Sequence, residues 1–299
     1  MTFKELTIED KKLFDKYIGN NYENSEATFG NLFIWRNNSK TKYTIIDDAL
    51  CIVYKKSDGR FAACYPFGNC DIKIVLNKLK LFFKEQNQLM ILESVTNSHS
   101  QKLYDIYKDK IEIISERNLF DYVYTADSLI DLSGKKLHSK RNHINKFLSL
   151  YPDFKYKILD KSMFDECKIC VNKWLLKRYS PDDKDYKTEV EVIDECFKNY
   201  DTLGFVGGAL YVNNTLCAFT FGERHYKNTF VVHIEKADTS IEGAYTMINN
   251  LFVKDIKERY PDIDFINREE DMGIEGIRKA KLSYKPYKMV EKNMIIFKE

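Results

Sequence analysis

The order of predicted elements runs through this chain twice, and that repeat constrains the fold more than any single motif does. In the first half the helix pattern IEDKKLFDKYIG precedes three short strand patterns, KYTII, ALCIVYK and FAACYPF. The helix DIKIVLNKLKLFFKEQ then leads to the strand LMILES, the helix SHSQKLYDIYKD and the strands IEIIS and DYVYT. From about residue 120 the second half reads strand, helices, three-strand meander, helix, strand, short helix, strand. Its first long helix shows apolar residues at Met163, Phe164, Cys167, Cys170, Val171, Trp174 and Leu175, the three- and four-residue spacing of an amphipathic helix. A second helix is expected over 188–199. The runs LGFVGGALYV and TLCAFTFGER flank Asn213-Asn214, a hairpin signal. NTFVVHIEKAD extends the meander, GAYTMINNLFVKDIKERY is a helix stopped by Pro261, IDFIN is a strand, and KMVEKNMIIFK closes the chain. Two copies of one α/β unit with mixed sheets, over 1–125 and 126–299, account for this better than one large sheet.

Composition narrows the class. With 44% hydrophobic residues, including 20 Phe and 20 Tyr, in 299 residues, the chain can build two cores and disorder is excluded as its general state. The 47 basic and 45 acidic side chains nearly cancel, so any anion-binding surface must be local. The charged N-terminus MTFKELTIEDKKLF lacks a signal-peptide core, and no apolar run approaches the ~20 residues of a membrane span. A soluble, cytoplasmic protein is the expectation. Seven cysteines, an odd number, argue against a disulfide framework. Cys167 and Cys170 form a CxxC on a helix with no second ligand pair, so they are read as thiols, not as a metal or redox site. His138 and His143 lack the i, i+4 spacing of a helical metal pair, and no metal is expected.

The element order of each half is similar to that of the GNAT fold, the framework of acyl-CoA-dependent N-acyltransferases. In that arrangement DTSIEGA would present backbone N–H groups at a helix start, where an anion is favoured, with Gly243 allowing close approach. The usual acyl-CoA loop has the form RxxGxG or RxxGxA, whereas this chain has Ser240 and Tyr245 at the corresponding positions. Gly243 as a simple helix-starting residue is the alternative. The stretch GKKLHSKRNHINKF puts Lys135, Lys136, Lys140, Arg141 and Lys146 on a helix whose apolar positions are Leu137, Ile144, Phe147 and Leu148. Its cationic face suits phosphates of RNA or lipid head groups; a solvated charged face is the plainer reading. With no GxSxG, HExxH or P-loop present, acid–base work falls to Asp, Glu and Lys. Glu235 and Asp238 lie where the central strand would open, and Glu269, Glu270 and Asp271 lie just past the next strand. Facing one another, these carboxylates would bind a cationic amine; alternatively, the last three favour the start of a nearby helix.

The strings GKKLHSKRNHINKF, IEKADTSIEGAYTMIN, INREEDMGIEGIRKAKLSYKP and, earlier, ATFGNLFIWR resemble the family that shares the C-terminal domain of bacterial phosphatidylglycerol lysyltransferase, over nearly the whole chain. The resemblance implies two tandem GNAT-like domains and a more distant kinship with Fem-type aminoacyltransferases, which take aminoacyl-tRNA as donor. In Fem-type enzymes a segment GLxxFKxxF carries a lysine near the reacting carbonyl. GIRKAKLSY matches it loosely, with Lys281 at the lysine and Ala280 at the preceding aromatic. Joined to the residues read above, this gives an expected site with Lys281 and Tyr284 stabilising the carbonyl, and Glu235 and Asp238 binding the amine or accepting its proton. Asn267, Arg268, Glu269, Glu270 and Asp271 would hold the substrate, while Lys135, Lys136, Lys140, Arg141, Gly243, Arg278 and Lys279 would contact tRNA phosphates. The expected activity is transfer of an aminoacyl or acyl group to an amine or hydroxyl of a small molecule or lipid head group, with no cofactor required. Two rivals remain: an acyl-CoA-dependent N-acyltransferase, and a non-catalytic RNA- or ligand-binding protein. Full lysyltransferases carry many membrane spans; this sequence shows none, so lipid flipping is not expected.

Overall fold

The computed structural model describes residues 1–19 and 21–298. Six strands come first: β1 (Lys4–Glu5), β2 (Lys42–Ile46), β3 (Ala49–Lys55), β4 (Phe61–Ala63), β5 (Ile91–Thr96) and β6 (Ile111–Ser115). Then follow β7 (Asp121–Thr125), β8 (Lys155–Ile158), β9 (Val206–Val212), β10 (Thr215–Arg224), β11 (Thr229–Ala237), β12 (Phe265–Asn267), β13 (Lys288–Val290) and β14 (Lys292–Phe297). They form two seven-stranded sheets, ordered β1-β2-β3-β4-β5-β14-β6 and β13-β7-β12-β11-β10-β9-β8.

The repeat read from the sequence is present in the pairing. In each sheet an antiparallel meander (β2-β3-β4, β9-β10-β11) ends in a strand that crosses through a helix to a parallel neighbour, β4 to β5 and β11 to β12. The next strand in each sheet comes from the distant part of the chain. The closing run KMVEKNMIIFK splits, β13 joining the second sheet and β14 the first, and β7 follows β6 in sequence yet pairs with β12. Two compact units result: residues 1–121 with 270–273 and Val290 onward, and residues 122–269 with 274–289.

In the first unit the crossover helix Ile72–Glu85 buries Val75, Leu76, Leu79 and Phe83, a three-to-four spacing that seats it on β3, β5 and β14. Asp71 starts it by accepting the amides of Lys73 and Ile74. In the second unit Ala244–Arg259 buries Met247, Ile248, Phe252, Val253 and Ile256 against Phe230, Val232, Leu210 and Ala218. The basic helix runs His138–Leu150, and the helix expected over 188–199 starts earlier and spans Lys184–Lys198. All seven cysteines are free thiols. Among the described residues no helix is long and apolar enough to cross a membrane.

Candidate active site

β11 and β12 pair only from Thr229↔Phe265 to Val231↔Asn267, because β12 stops while β11 continues to Ala237. The strands therefore part, and two polar bridges cross the gap. The first joins Glu235 to Arg268: Nη2 donates to Oε1 at 2.7 Å, with both side chains nearly buried. The second joins His233 to Glu269, Nδ1 to Oε1 at 2.7 Å, while Nε2 meets Glu223 Oε1 at 2.9 Å. His233 faces the gap because β10 and β11 lose register there: Phe221 pairs with Ile234 but Gly222 with Val232, leaving His233 as the extra residue. The bulge requires glycine at 222, where a Cβ would sit 1.8 Å from the Val231 carbonyl oxygen.

Glu235 is also held from the helix Ala244–Arg259, where Asn249 Nδ2 donates to Oε2 at 3.0 Å. A carboxylate only accepts, so the amide orientation is fixed and Asn249 Oδ1 points elsewhere. Asn249 is 1% exposed, and its Oδ1 has no hydrogen-bond partner among the described residues. Arg268 Nη1 is likewise buried with none among the described residues. The two oxygens of one carboxylate thus orient two residues, each with an unused polar atom: an acceptor on Asn249 and a charged donor on Arg268. Such atoms are costly to bury and are rare unless something else engages them.

Aromatic rings and a lysine complete the surroundings. The Arg268 guanidinium lies 4.9 Å from the Tyr284 ring centroid and 5.8 Å from that of Tyr124. Burial opposes its charge, but Glu235 more than compensates and holds its pKa above the ordinary arginine value. From the basic helix, Lys140 Nζ sits 4.0 Å over the Tyr284 ring. Burial, and then the Arg268 charge, press its pKa down to about 8, Glu235 pulling the other way. A lysine in that range is partly neutral near physiological pH and can accept a proton. For His233 burial pushes the imidazole down, but hydrogen bonds and charge from Glu223 and Glu269 outweigh it and hold it at about 9.

The family follows from a match over almost the whole chain: residues 20–296 fit the family described as phosphatidylglycerol lysyltransferase, C-terminal. The chain belongs to that family. A solved conserved protein of unknown function from Bacteroides thetaiotaomicron is 36% identical, with a TM-score of 0.92 over 100% of both chains. The structure of L-PGS from Bacillus licheniformis is 13% identical, with a TM-score of 0.69 over 100% of this chain and 94% of that one. A tandem GNAT protein from the clavulanic acid biosynthesis pathway, 7% identical, gives a TM-score of 0.51 over 87% of this chain and 83% of its own, and shares the fold. An uncharacterised protein of Mycoplasmoides gallisepticum is 25% identical over 189 residues; the match spans 63% of this chain but only 59% of that protein.

In this lysyltransferase-family chain the residues anticipated from the sequence divide into those that converge and those that do not. Glu235, Arg268, Tyr284 and Lys140 converge. Lys281 stands beside them, its Nζ donating to the carbonyls of Arg268 and Glu269 and lying 5.7 Å from the Tyr122 ring centroid. It thereby holds the turn, with Glu269 at φ 55°, that sends side chains 268 and 269 to different residues of β11. Asn267, fully buried, supports the same turn by accepting the Glu269 amide at 2.8 Å. Asp238 lies elsewhere: its carboxylate accepts Lys177 Nζ at 2.8 Å and the Ser240 amide and hydroxyl, which overcome burial and hold it at about 2. Glu270 and Asp271 belong to the first unit, where Asp271 meets Arg117 at 3.3 Å and the Gly273 amide. The carboxylates expected to face one another across the strands are therefore met by Arg268 and His233. Arg141 donates to the carbonyls of Leu132 and Gly134, while Lys135, Lys136 and Lys279 are exposed and Arg278 is half-buried. At Gly243, φ is 82° and a Cβ would lie 2.6 Å from the His143 carbonyl oxygen, so glycine lets the two helices approach.

Asn249, His233 and Glu223 escaped the sequence reading. Two signals were there to be used: His233 and Glu235 lie two apart on one strand and so share a face, and Asn249-Asn250 interrupts the apolar stripe of a helix.

The His233 charge also sets a pH dependence. Its folded pKa, about 9, exceeds the ordinary 6.5, so its contribution is complete below about pH 6.5 and lost as pH rises through about 9. The wild-type advantage over His233→Gln in urea unfolding is expected to shrink by roughly 3 kcal/mol between pH 6 and pH 9.5. A difference constant across that range would contradict a buried imidazolium.

Proposed function

We propose that the chain is an aminoacyltransferase whose site is the gap between β11 and β12, with aminoacyl-tRNA as donor and an amine or hydroxyl as acceptor. The observation that carries this is the pair of unused buried atoms, Arg268 Nη1 and Asn249 Oδ1, oriented by one carboxylate. A donor beside an acceptor fits an acyl carbonyl meeting an N–H or O–H nucleophile. Arg268 donates to the carbonyl oxygen as it gains negative charge, an electrostatic role that grows toward the transition state. Asn249 accepts a hydrogen bond from the nucleophile and aims its lone pair. Neutral Lys140 takes the proton the nucleophile sheds and returns it to the ribose oxygen as the ester C–O bond breaks and the new N–C or O–C bond forms. Lys281 acts through the turn it holds, as a positioning residue. Lys135, Lys136, Arg278 and Lys279 meet the polyphosphate backbone of the donor. Family membership supports an aminoacyl donor, and the altered loop Ser240–Tyr245 weighs against coenzyme A.

The test is transfer of labelled amino acid from a charged total tRNA pool to small amines and to lipid head-group analogues, with acetyl-CoA run in parallel. Product from aminoacyl-tRNA alone is the expected result. Product from acetyl-CoA alone would replace the donor assignment, and product from neither would remove the enzymatic reading.

A further inference from the structure

β6 stands at an edge of the first sheet and pairs there with β14 alone. The ladder runs without a bulge, from the Lys298 N–H on the Lys110 carbonyl at 2.9 Å to the Glu116 N–H on the Lys292 carbonyl at 3.0 Å. In an antiparallel pair the bonds to one neighbour fall on alternate residues, so 110, 112, 114 and 116 bond β14. Ile111, Ile113 and Ser115 therefore turn their backbone groups outward, where the Ile111 N–H donates to the Lys108 carbonyl. The other edge strands are blunted: β1 has two residues, β13 has three, and β8 carries Lys155 and Lys157. β6 has five residues without a lysine or proline, and Ile113 at its centre is 39% exposed. We propose that β6 pairs antiparallel with β6 of a second copy of this chain, about a two-fold axis through Ile113.

Backbone, charge and register each support this. About that axis Ile113 meets Ile113, Ile111 meets Ser115 and Lys110 meets Glu116. The groups that β14 leaves outward are then the ones that face each other: Ile113 exchanges both of its bonds with its counterpart, and each Ser115 N–H donates to an Ile111 carbonyl. Residues 110, 112, 114 and 116 form the closer, non-hydrogen-bonded pairs, where side-chain charge counts most. Lys110 is exposed, and Glu116 Oε2 is buried with no hydrogen-bond partner among the described residues. Burial raises the Glu116 pKa against the pull of Lys56, so an ammonium brought beside it is favoured. The neighbouring registers that keep outward groups opposed are penalised. Sliding the copies by two residues one way sets Glu112 against Glu112, and the other way sets Glu112 against Glu116. In the symmetric register about Ile113, Glu112 meets Ile114 instead. Like charges directly opposite are unfavourable, and their placement selects one alignment.

Sedimentation velocity of the whole protein from about 1 to 200 µM tests the assignment. A reversible monomer–dimer equilibrium within that range is expected. Ile113→Lys changes an exposed side chain and sets like charges on the axis; it should weaken dimerisation at least about tenfold and leave the melting temperature of the monomer unchanged. Ile113→Cys tests the register. Counterparts in a hydrogen-bonded antiparallel pair have Cα atoms about 5.5 Å apart, within disulfide reach. Mild oxidation should therefore cross-link Ile113→Cys well above the wild-type background, whereas Ser115→Cys, about 13 Å along the strand from its counterpart, should not cross-link. A protein that stays monomeric throughout, a dimer that folded Ile113→Lys leaves intact, or equal cross-linking at 113 and 115 would each overturn the proposal.

Discussion

Arg268→Lys is expected to lower transfer about a hundred- to a thousandfold while leaving the fold intact. The replacement keeps a positive charge near Glu235, so the buried carboxylate is not stranded. What it removes is the fork: Nη2 of Arg268 is committed to Glu235 at 2.7 Å, and Nη1 has no hydrogen-bond partner among the described residues. An ammonium on a shorter stem cannot present two fixed donors in different directions. Loss of one preorganised donor to a developing oxyanion costs about 10²–10³ in rate, and the loss should appear in kcat more than in KM, because the interaction strengthens toward the transition state. Single-turnover transfer from charged tRNA, with urea unfolding measured on the same preparation, separates the roles. A rate within threefold of wild type would remove Arg268 from the reaction, and a parallel collapse in stability would make its role structural.

The difference between what could and could not be read from the sequence has a physical basis. Local periodicity exposed the helices and the meander because each depends on near neighbours: the 75, 76, 79, 83 spacing of one crossover helix is visible in eighteen letters of sequence or fewer. Long-range pairing was not visible in that way. Nothing local in KMVEKNMIIFK says that residue 290 ends a strand of one sheet and residue 292 starts a strand of the other. The site divides similarly. Lys281 and Tyr284 came from a resemblance, Glu235 from its position at a strand opening. Their partners depend on a bulge at His233 and on which face of a helix meets β11, and those follow from register. Lys140 shows the limit clearly: in composition it is one of several cations on a basic helix, and only packing turns it over the Tyr284 ring.

Lys292→Met is expected to cost the first unit about 3–5 kcal/mol, the largest stability loss considered for this chain. Lys292 is fully buried, and its Nζ lies 2.6 Å from Asp121 Oδ1, itself fully buried, and 2.7 Å from Glu26. Burial alone would push the lysine pKa down; Asp121 and then Glu26 reverse that and hold the ammonium charged. Methionine fills nearly the same volume, so packing changes little, but it takes the Lys292 charge away from Asp121, which still accepts the Ser25 amide and hydroxyl at 2.7 and 2.8 Å. The cost is then the penalty of a stranded carboxylate, not the net worth of the pair. A second variant distinguishes them. Adding Asp121→Asn to Lys292→Met removes the stranded charge and should recover part of the loss, despite weakening the Ser25 contacts, whereas Asp121→Asn alone should destabilise. Urea unfolding of the three variants at pH 7 gives the coupling directly. A loss below about 1 kcal/mol in Lys292→Met, or strictly additive effects in the double variant, would mean that water reaches the cluster and that the ion pair is not buried in solution.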